Sequence, residues 1–168
     1  MITETGVEDC DGVDNDCDGS LDEGASCRVH IRRYFSTSGG HFYTSNPGEA
    51  ASLGYSAESA SFYLYNTHVT GTSPFYQCSN TYYLNTFSQY RFFYTTSPSC
   101  EGSSGHVNQG VIGYIANSNI SGTTDLWRLY NSASSDHLFT TGYQDRLNAQ
   151  NGGYTFEGTP GYVWTSSN

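Results

Sequence analysis

"GYSAESASFYLY" (Gly54–Tyr65), "GHVNQGVIGYIA" (Gly105–Ala116) and "GYTFEGTPGYVW" (Gly153–Trp164) align without a gap. Each has Gly first, an acid or its amide fifth (Glu58, Gln109, Glu157) and Tyr tenth (Tyr63, Tyr114, Tyr162). Self-similarity at a fixed period signals a repeated supersecondary unit. A second element precedes each stretch: "HFYTS" from His41, "FFYTT" from Phe92 and "HLFTT" from His137. A third opens each unit: "IRRYF" from Ile31, "FYQCS" from Phe75 and "LWRLY" from Leu126, spaced 44 and 51 residues apart. The units cover about 31–70, 75–120 and 126–168.

Short β-branched and aromatic runs alternate with turn clusters such as "STSGG", "NSASSD" and "NGG", a pattern of strands and tight turns. Helical periodicity is absent apart from a turn at "GYQDRLNAQ" (Gly142–Gln150). The expectation is an all-β domain over residues 28–168. Three units of this size suit a β-trefoil, with four short strands per unit closing a six-stranded barrel and a triangular cap. A propeller usually needs four or more blades, and a β-sandwich needs no threefold repeat.

Residues 1–27 read differently. They hold nine of the chain's sixteen acids and no base, whereas all 26 aromatic residues lie beyond them. In "DGVDNDCDGSLDEG" (Asp11–Gly24), Asp14, Asp16 and Asp18 alternate, Gly19 follows, then Asp22 and Glu23. Oxygen ligands at positions 1, 3 and 5 with Gly at 6 are what a Ca²⁺ loop requires. Position 12 is Ala25 rather than Glu, so the loop departs from the EF-hand. The expected ligands are Asp14, Asp16, Asp18 and Asp22, with Asp11 or Glu23 completing the shell. Zn²⁺ is the lesser reading, because the segment has no CxxC pair and is rich in hard oxygen donors.

Five Cys in a chain rich in Ser, Thr, Asn and Gly suggest an oxidising, extracellular or cell-surface setting. Cys10 and Cys17 bracket the acidic loop, and a bridge between them would restrict it. Cys78 and Cys100 lie in the middle unit, where a bridge would pin its insertion. That pairing leaves Cys27 alone or bonded elsewhere. The opening "MITETGVEDC" has neither the basic n-region nor the apolar h-region of a signal peptide. The expectation is therefore a piece of a longer exported protein, with Met1 added. No apolar run is long enough to span a membrane. With six Arg, no Lys and a net charge of −10, the chain also lacks a nucleic-acid-binding stripe.

Two resemblances sharpen this picture. The acidic segment is similar to thrombospondin type 3 loops. It is closer to the Cys-containing metal-binding repeat of myxobacterial and related surface proteins, through Cys10, Gly12, Asp14, Asp16, Cys17, Asp18, Gly19, Asp22, Glu23 and Gly24. The remainder resembles a bacterial family of unknown function whose units read YRxYN, DHFYTT and GYxxEGxxxYV. "LWRLYN", "DHLFTT" and "GYTFEGTPGYV" fit best, and the middle unit departs, with Phe92 for His and Gln109 for Glu. The family's occurrence as an appended domain of secreted proteins implies targeting or adhesion.

Repeated His and acid positions do not make a unique active site, so no enzyme is expected. Aromatic rings stack on sugar faces while carboxylates and imidazoles hold hydroxyls. The expected function is therefore a lectin-like module for a glycan or a cell-surface polysaccharide. Its candidate residues are His41, Tyr43 and Glu58 in the first unit. In the third they are Asp136, His137 and Glu157, with Trp127 and Trp164 as stacking faces. The alternative is a structural or protein-binding tip in which the repeats serve only the core.

Overall fold

The computed structural model of the chain describes residues 9–14, 22, 27–84 and 87–167. The first unit runs β1 (Arg28–Ser36), β2 (Gly40–Thr44), α1 (Pro47–Ser52) and β3 (Ser56–Tyr65). The second runs β4 (Thr72–Leu84), β5 (Phe87–Thr95), a 3₁₀ turn (Cys100–Gly102) and β6 (Val107–Ala116). The third runs β7 (Thr123–Asn131), β8 (Asp136–Thr140), α2 (Tyr143–Asn151) and β9 (Thr155–Trp164). The chain is mainly β-sheet, and all strand pairs among the described residues are antiparallel.

Pairing is the same in each unit. The opening strand lies between the other two: β1 between β2 and β3, β4 between β5 and β6, β7 between β8 and β9. The third strands then meet one another, through Tyr65↔Tyr114, Tyr63↔Trp164 and Ala116↔Tyr162. The described residues thus give three strands per unit, not the four expected of a trefoil. The chain between the second and third strands coils instead. In the first unit Asn46 caps α1, accepting from the backbone N–H groups of Gly48 and Glu49, with Pro47 in the first turn. Where the sequence predicts a turn at Gly142–Gln150, the chain forms α2 over Tyr143–Asn151. Gly54, Gly105 and Gly153 have φ of 78°, 83° and 92°, so the first Gly of each aligned stretch makes the left-handed turn into the third strand.

At the centre, Tyr43, Tyr94 and Phe139 occupy the same place in β2, β5 and β8. Their rings meet edge to face, with centroids 5.2, 5.5 and 5.6 Å apart, and all three are buried. The hydroxyls stitch the units together. Tyr43 Oη donates to the Phe139 carbonyl (2.8 Å) and accepts from the Phe139 N–H (2.6 Å). Tyr94 Oη donates to the Tyr43 carbonyl (3.0 Å) and accepts from the Tyr43 N–H (2.8 Å).

One end of this axis is closed by a second cluster, where Cys27, Tyr65, Val69, Ala116 and Trp164 pack with Tyr63, Tyr114 and Tyr162. The acidic segment docks here. Cys10 is bonded to Cys27, which corrects the expected Cys10–Cys17 bridge; the placement of Cys17 lies outside the described residues. The reason is a contact that no local spacing encodes: Cys27 is wholly buried against this cluster and draws Cys10 onto it. Cys78 and Cys100 are bonded, and Phe93 packs on the bridge.

Candidate functional site

The third residue of each opening stretch holds corresponding places in register: Arg33 opposite Tyr43, Gln77 opposite Tyr94 and Arg128 opposite Phe139. In the first unit Arg33 Nε lies 2.7 Å from Glu58 Oε2, and His41 Nε2 lies 3.5 Å from the same oxygen. The third unit repeats this, with Arg128 Nε at 3.0 Å and His137 Nε2 at 3.4 Å from Glu157 Oε2. An Arg–Glu–His cluster therefore occurs twice. In the middle unit all three members are replaced, by Gln77, Gln109 and Phe92.

Each guanidinium is also gripped by an acid from the preceding unit. Asp145, at the start of α2, takes Arg33 Nη1 at 2.6 Å and Nη2 at 3.4 Å. Glu101, in the 3₁₀ turn, takes Arg128 Nη1 at 2.5 Å and Nη2 at 3.2 Å. Such two-pronged, charge-assisted pairing is stronger than neutral bonding. Burial raises the Glu101 and Asp145 carboxyls, but hydrogen bonds from Arg128 and Thr95, and from Arg33 and Thr140, outweigh it and hold both below the usual range. These ion pairs tie the units together.

The two histidines differ in surroundings. His41 is buried. Its Nδ1 donates to Asp136 Oδ2 at 2.7 Å and its backbone N–H donates to Oδ1 at 2.8 Å. Tyr154 Oη donates to the same carboxylate. Burial pushes the Asp136 carboxyl up, but the bonds from His41 and Tyr154 win and lower it. Asp136, expected beside His137 in a third-unit site, thus reaches across to serve the first unit.

His137 instead lines an open cleft of about 400 Å³. Phe93 and Tyr130 flank its ring at centroid distances of 5.3 and 4.5 Å. Arg91, Arg128, Glu101 and Glu157 provide two charges of each sign, and Asn80, Ser103 and His106 add neutral donors and acceptors. Burial, then the Arg128 charge, pushes the His137 imidazole down to about 4. His106 is lowered as well, chiefly by burial. Both rings are uncharged at neutral pH.

The other expected site residues scatter. Tyr43 is in the core and its hydroxyl serves the fold. Trp164 is 1% exposed, with its ring edge-on to Tyr65 (4.6 Å) and under Arg28 (5.1 Å), so it offers no stacking face. Both corrections have one cause: the second strands meet one another through Tyr43, Tyr94 and Phe139, and the third strands through Tyr65 and Trp164, so rings pack on rings. Trp127 is half-buried on an outer surface, beneath the Arg146 guanidinium at 5.0 Å. Glu58 and Glu157 sit on separate units, each with its own Arg.

In the acidic segment, Asp22 is buried. Its Oδ1 accepts from the N–H groups of Asp11 and Gly12, both at 3.0 Å, and its Oδ2 accepts from Tyr65 Oη. Asp11 Oδ1 accepts from the Val13 N–H at 2.9 Å. Among the described residues no three His, Cys, Asp or Glu side chains gather as metal ligands. Asp16, Asp18 and Glu23 lie outside the described residues.

Sequence reasoning missed Arg33, Arg128, Glu101, Asp145 and Tyr130. For the first two a signal existed, since Arg, Gln and Arg vary in step with His, Phe, His and with Glu, Gln, Glu. For the gripping acids the signal was fainter: Glu49, Glu101 and Asp145 follow the Thr of their second strand by 5, 6 and 5 residues, in segments otherwise unlike one another.

A family model described as a domain of unknown function (DUF5648) matches residues 31–164. No curated protein and no solved structure matches the chain.

Proposed function

We propose that this chain, which belongs to the DUF5648 family, is an extracellular binding module for an uncharged, polyhydroxylated ligand such as a cell-surface saccharide. The supporting observation is the His137 cleft. Its two guanidinium groups balance its two carboxylates, its imidazoles are neutral, and aromatic rings stand beside dense donors and acceptors. A site of that composition suits hydroxyls better than a charged group. Two disulfides fit an oxidising location, and no helix among the described residues is long and apolar enough to cross a membrane. Binding, not catalysis, is the proposed role.

The test is a glycan array with the folded chain, followed by the same array with His137→Ala. Binding that disappears while the melting temperature holds supports the cleft. An empty array, or binding unchanged by the substitution, favours the structural or protein-binding tip.

We further propose that residues 11–23 hold one Ca²⁺. All the acids in that stretch are hard oxygen donors, and Asp22 draws the backbone of Asp11 and Gly12 around itself. Calorimetric titration of the whole chain with calcium, repeated with Asp16→Ala, decides it: no heat in the unsubstituted chain removes the proposal.

A further inference from the structure

Three equivalent grooves lie where one unit abuts the next. The groove between the third and first units is lined by Thr140, Asp145 and Arg33. The groove between the second and third is lined by Thr95, Glu101, Arg128 and Glu157. The groove between the first and second is lined by Thr44, Glu49, Gln77 and Gln109. In each, a Thr hydroxyl orients the acid of the coiled segment: Thr44 donates to Glu49 at 2.7 Å and Thr95 to Glu101 at 2.6 Å, and Thr140 bonds to Asp145. In two grooves that acid receives a guanidinium in two-pronged fashion from the following unit. In the remaining groove it receives none.

We infer that the groove between α1 and strands β4 and β6 binds a guanidinium group presented by a ligand, in the place that Arg33 and Arg128 fill in the other two grooves. A Gln side chain ends where the Nε of an Arg would lie. The Cζ and both Nη positions opposite Glu49 are thereby left vacant, within a void of about 270 Å³. Glu49 forms no ion pair among the described residues, and the Gln77 amide finds no partner among them. Glu49 would accept two N–H bonds from the plane of the guanidinium, and the Gln77 and Gln109 carbonyl oxygens can accept the rest. This site is separate from the His137 cleft and does not depend on the saccharide reading. Free guanidinium compounds and arginine side chains share the chemistry.

The probe is N-methylguanidinium, followed by backbone amide shifts of the whole folded chain, with methylammonium and methylurea alongside. An arginine-containing peptide then distinguishes a side chain from a free compound as the source. Saturable shifts at Glu49, Gln77 and Gln109 with methylguanidinium are expected. Glu49→Gln should weaken binding at least about tenfold, the loss of one charge-assisted pair. Gln77→Arg should abolish binding by filling the groove from within, without lowering the melting temperature. Added salt should weaken binding, because Glu49 is exposed. Absence of saturable shifts, equal binding of methylammonium or methylurea, or binding that survives both substitutions would overturn the inference.

Discussion

His41 and His137 occupy one position in the repeat and have two fates. His41 lies between Asp136 and Glu58, out of water. His41→Ala should lower stability by about 2–4 kcal/mol, because it strips the buried Asp136 carboxylate of its imidazole partner and leaves it the backbone N–H of residue 41 and Tyr154; denaturant melts measure this. His137 faces the cleft. Its imidazole is pushed down to about 4 from the ordinary 6.5. Above the unfolded value neither state carries the proton, and stability is at its full level. As pH falls from 6.5 towards 4, the unfolded chain takes up a proton that the folded chain refuses, so stability declines through that window. The loss should reach roughly 2–3 kcal/mol. His137→Phe, the residue the middle unit carries as Phe92, should flatten the decline between pH 6.5 and 4.5. A slope equal to that of the unsubstituted chain would show that other groups govern it. The sequence distinguishes the two histidines only by the residue before each, Gly40 and Asp136, and does not say which of them Asp136 serves, since it is adjacent to one in the chain and bonded to the other in space.

At the scale of elements, the middle unit is the divergent one. The pairing of β4 with β5 continues past Asn80↔Arg91 to Leu84↔Phe87, whereas in the first unit the corresponding pairing stops at Ser36↔Gly40. Its Cys78–Cys100 bridge spans 22 residues and ties β4 to the 3₁₀ turn that carries Glu101. Replacing both cysteines by Ser should cost about 3 kcal/mol on the chain-entropy account. It should also loosen Glu101 from Arg128, seen as lost order at the His137 cleft in amide exchange. Peptide mapping without reductant should recover Cys10 joined to Cys27. The strands were legible from repeated short runs and turns. The coiled segments were less so: α2 has no apolar face to announce it, and its side chains are half-buried or exposed.

For the whole molecule, the central triangle of Tyr43, Tyr94 and Phe139 is the joint. Two of its members carry a hydroxyl that bonds the backbone of a neighbouring unit, and Phe139 does not. Tyr43→Phe should cost about 1–3 kcal/mol, since it leaves two buried backbone groups of Phe139 without that partner. Phe139→Tyr would aim a third hydroxyl at the backbone of Tyr94 and should raise stability by about 1 kcal/mol; thermal melts of the two variants should move in opposite directions. The β class, the threefold repeat and the divergence of the middle unit can be read from the order of residues alone. Those features reside in local propensity and in residues that recur at fixed spacing, so each unit declares them independently. The tertiary structure alone decided three other matters. It set the number of strands per unit, because the chain after each second strand coils rather than pairs. It set the partner of Cys10, because burial of Cys27 at the axis brings that thiol within reach. It also decided which acid grips which Arg, because those contacts cross from one unit to the next, and no spacing along the chain encodes how separate units meet.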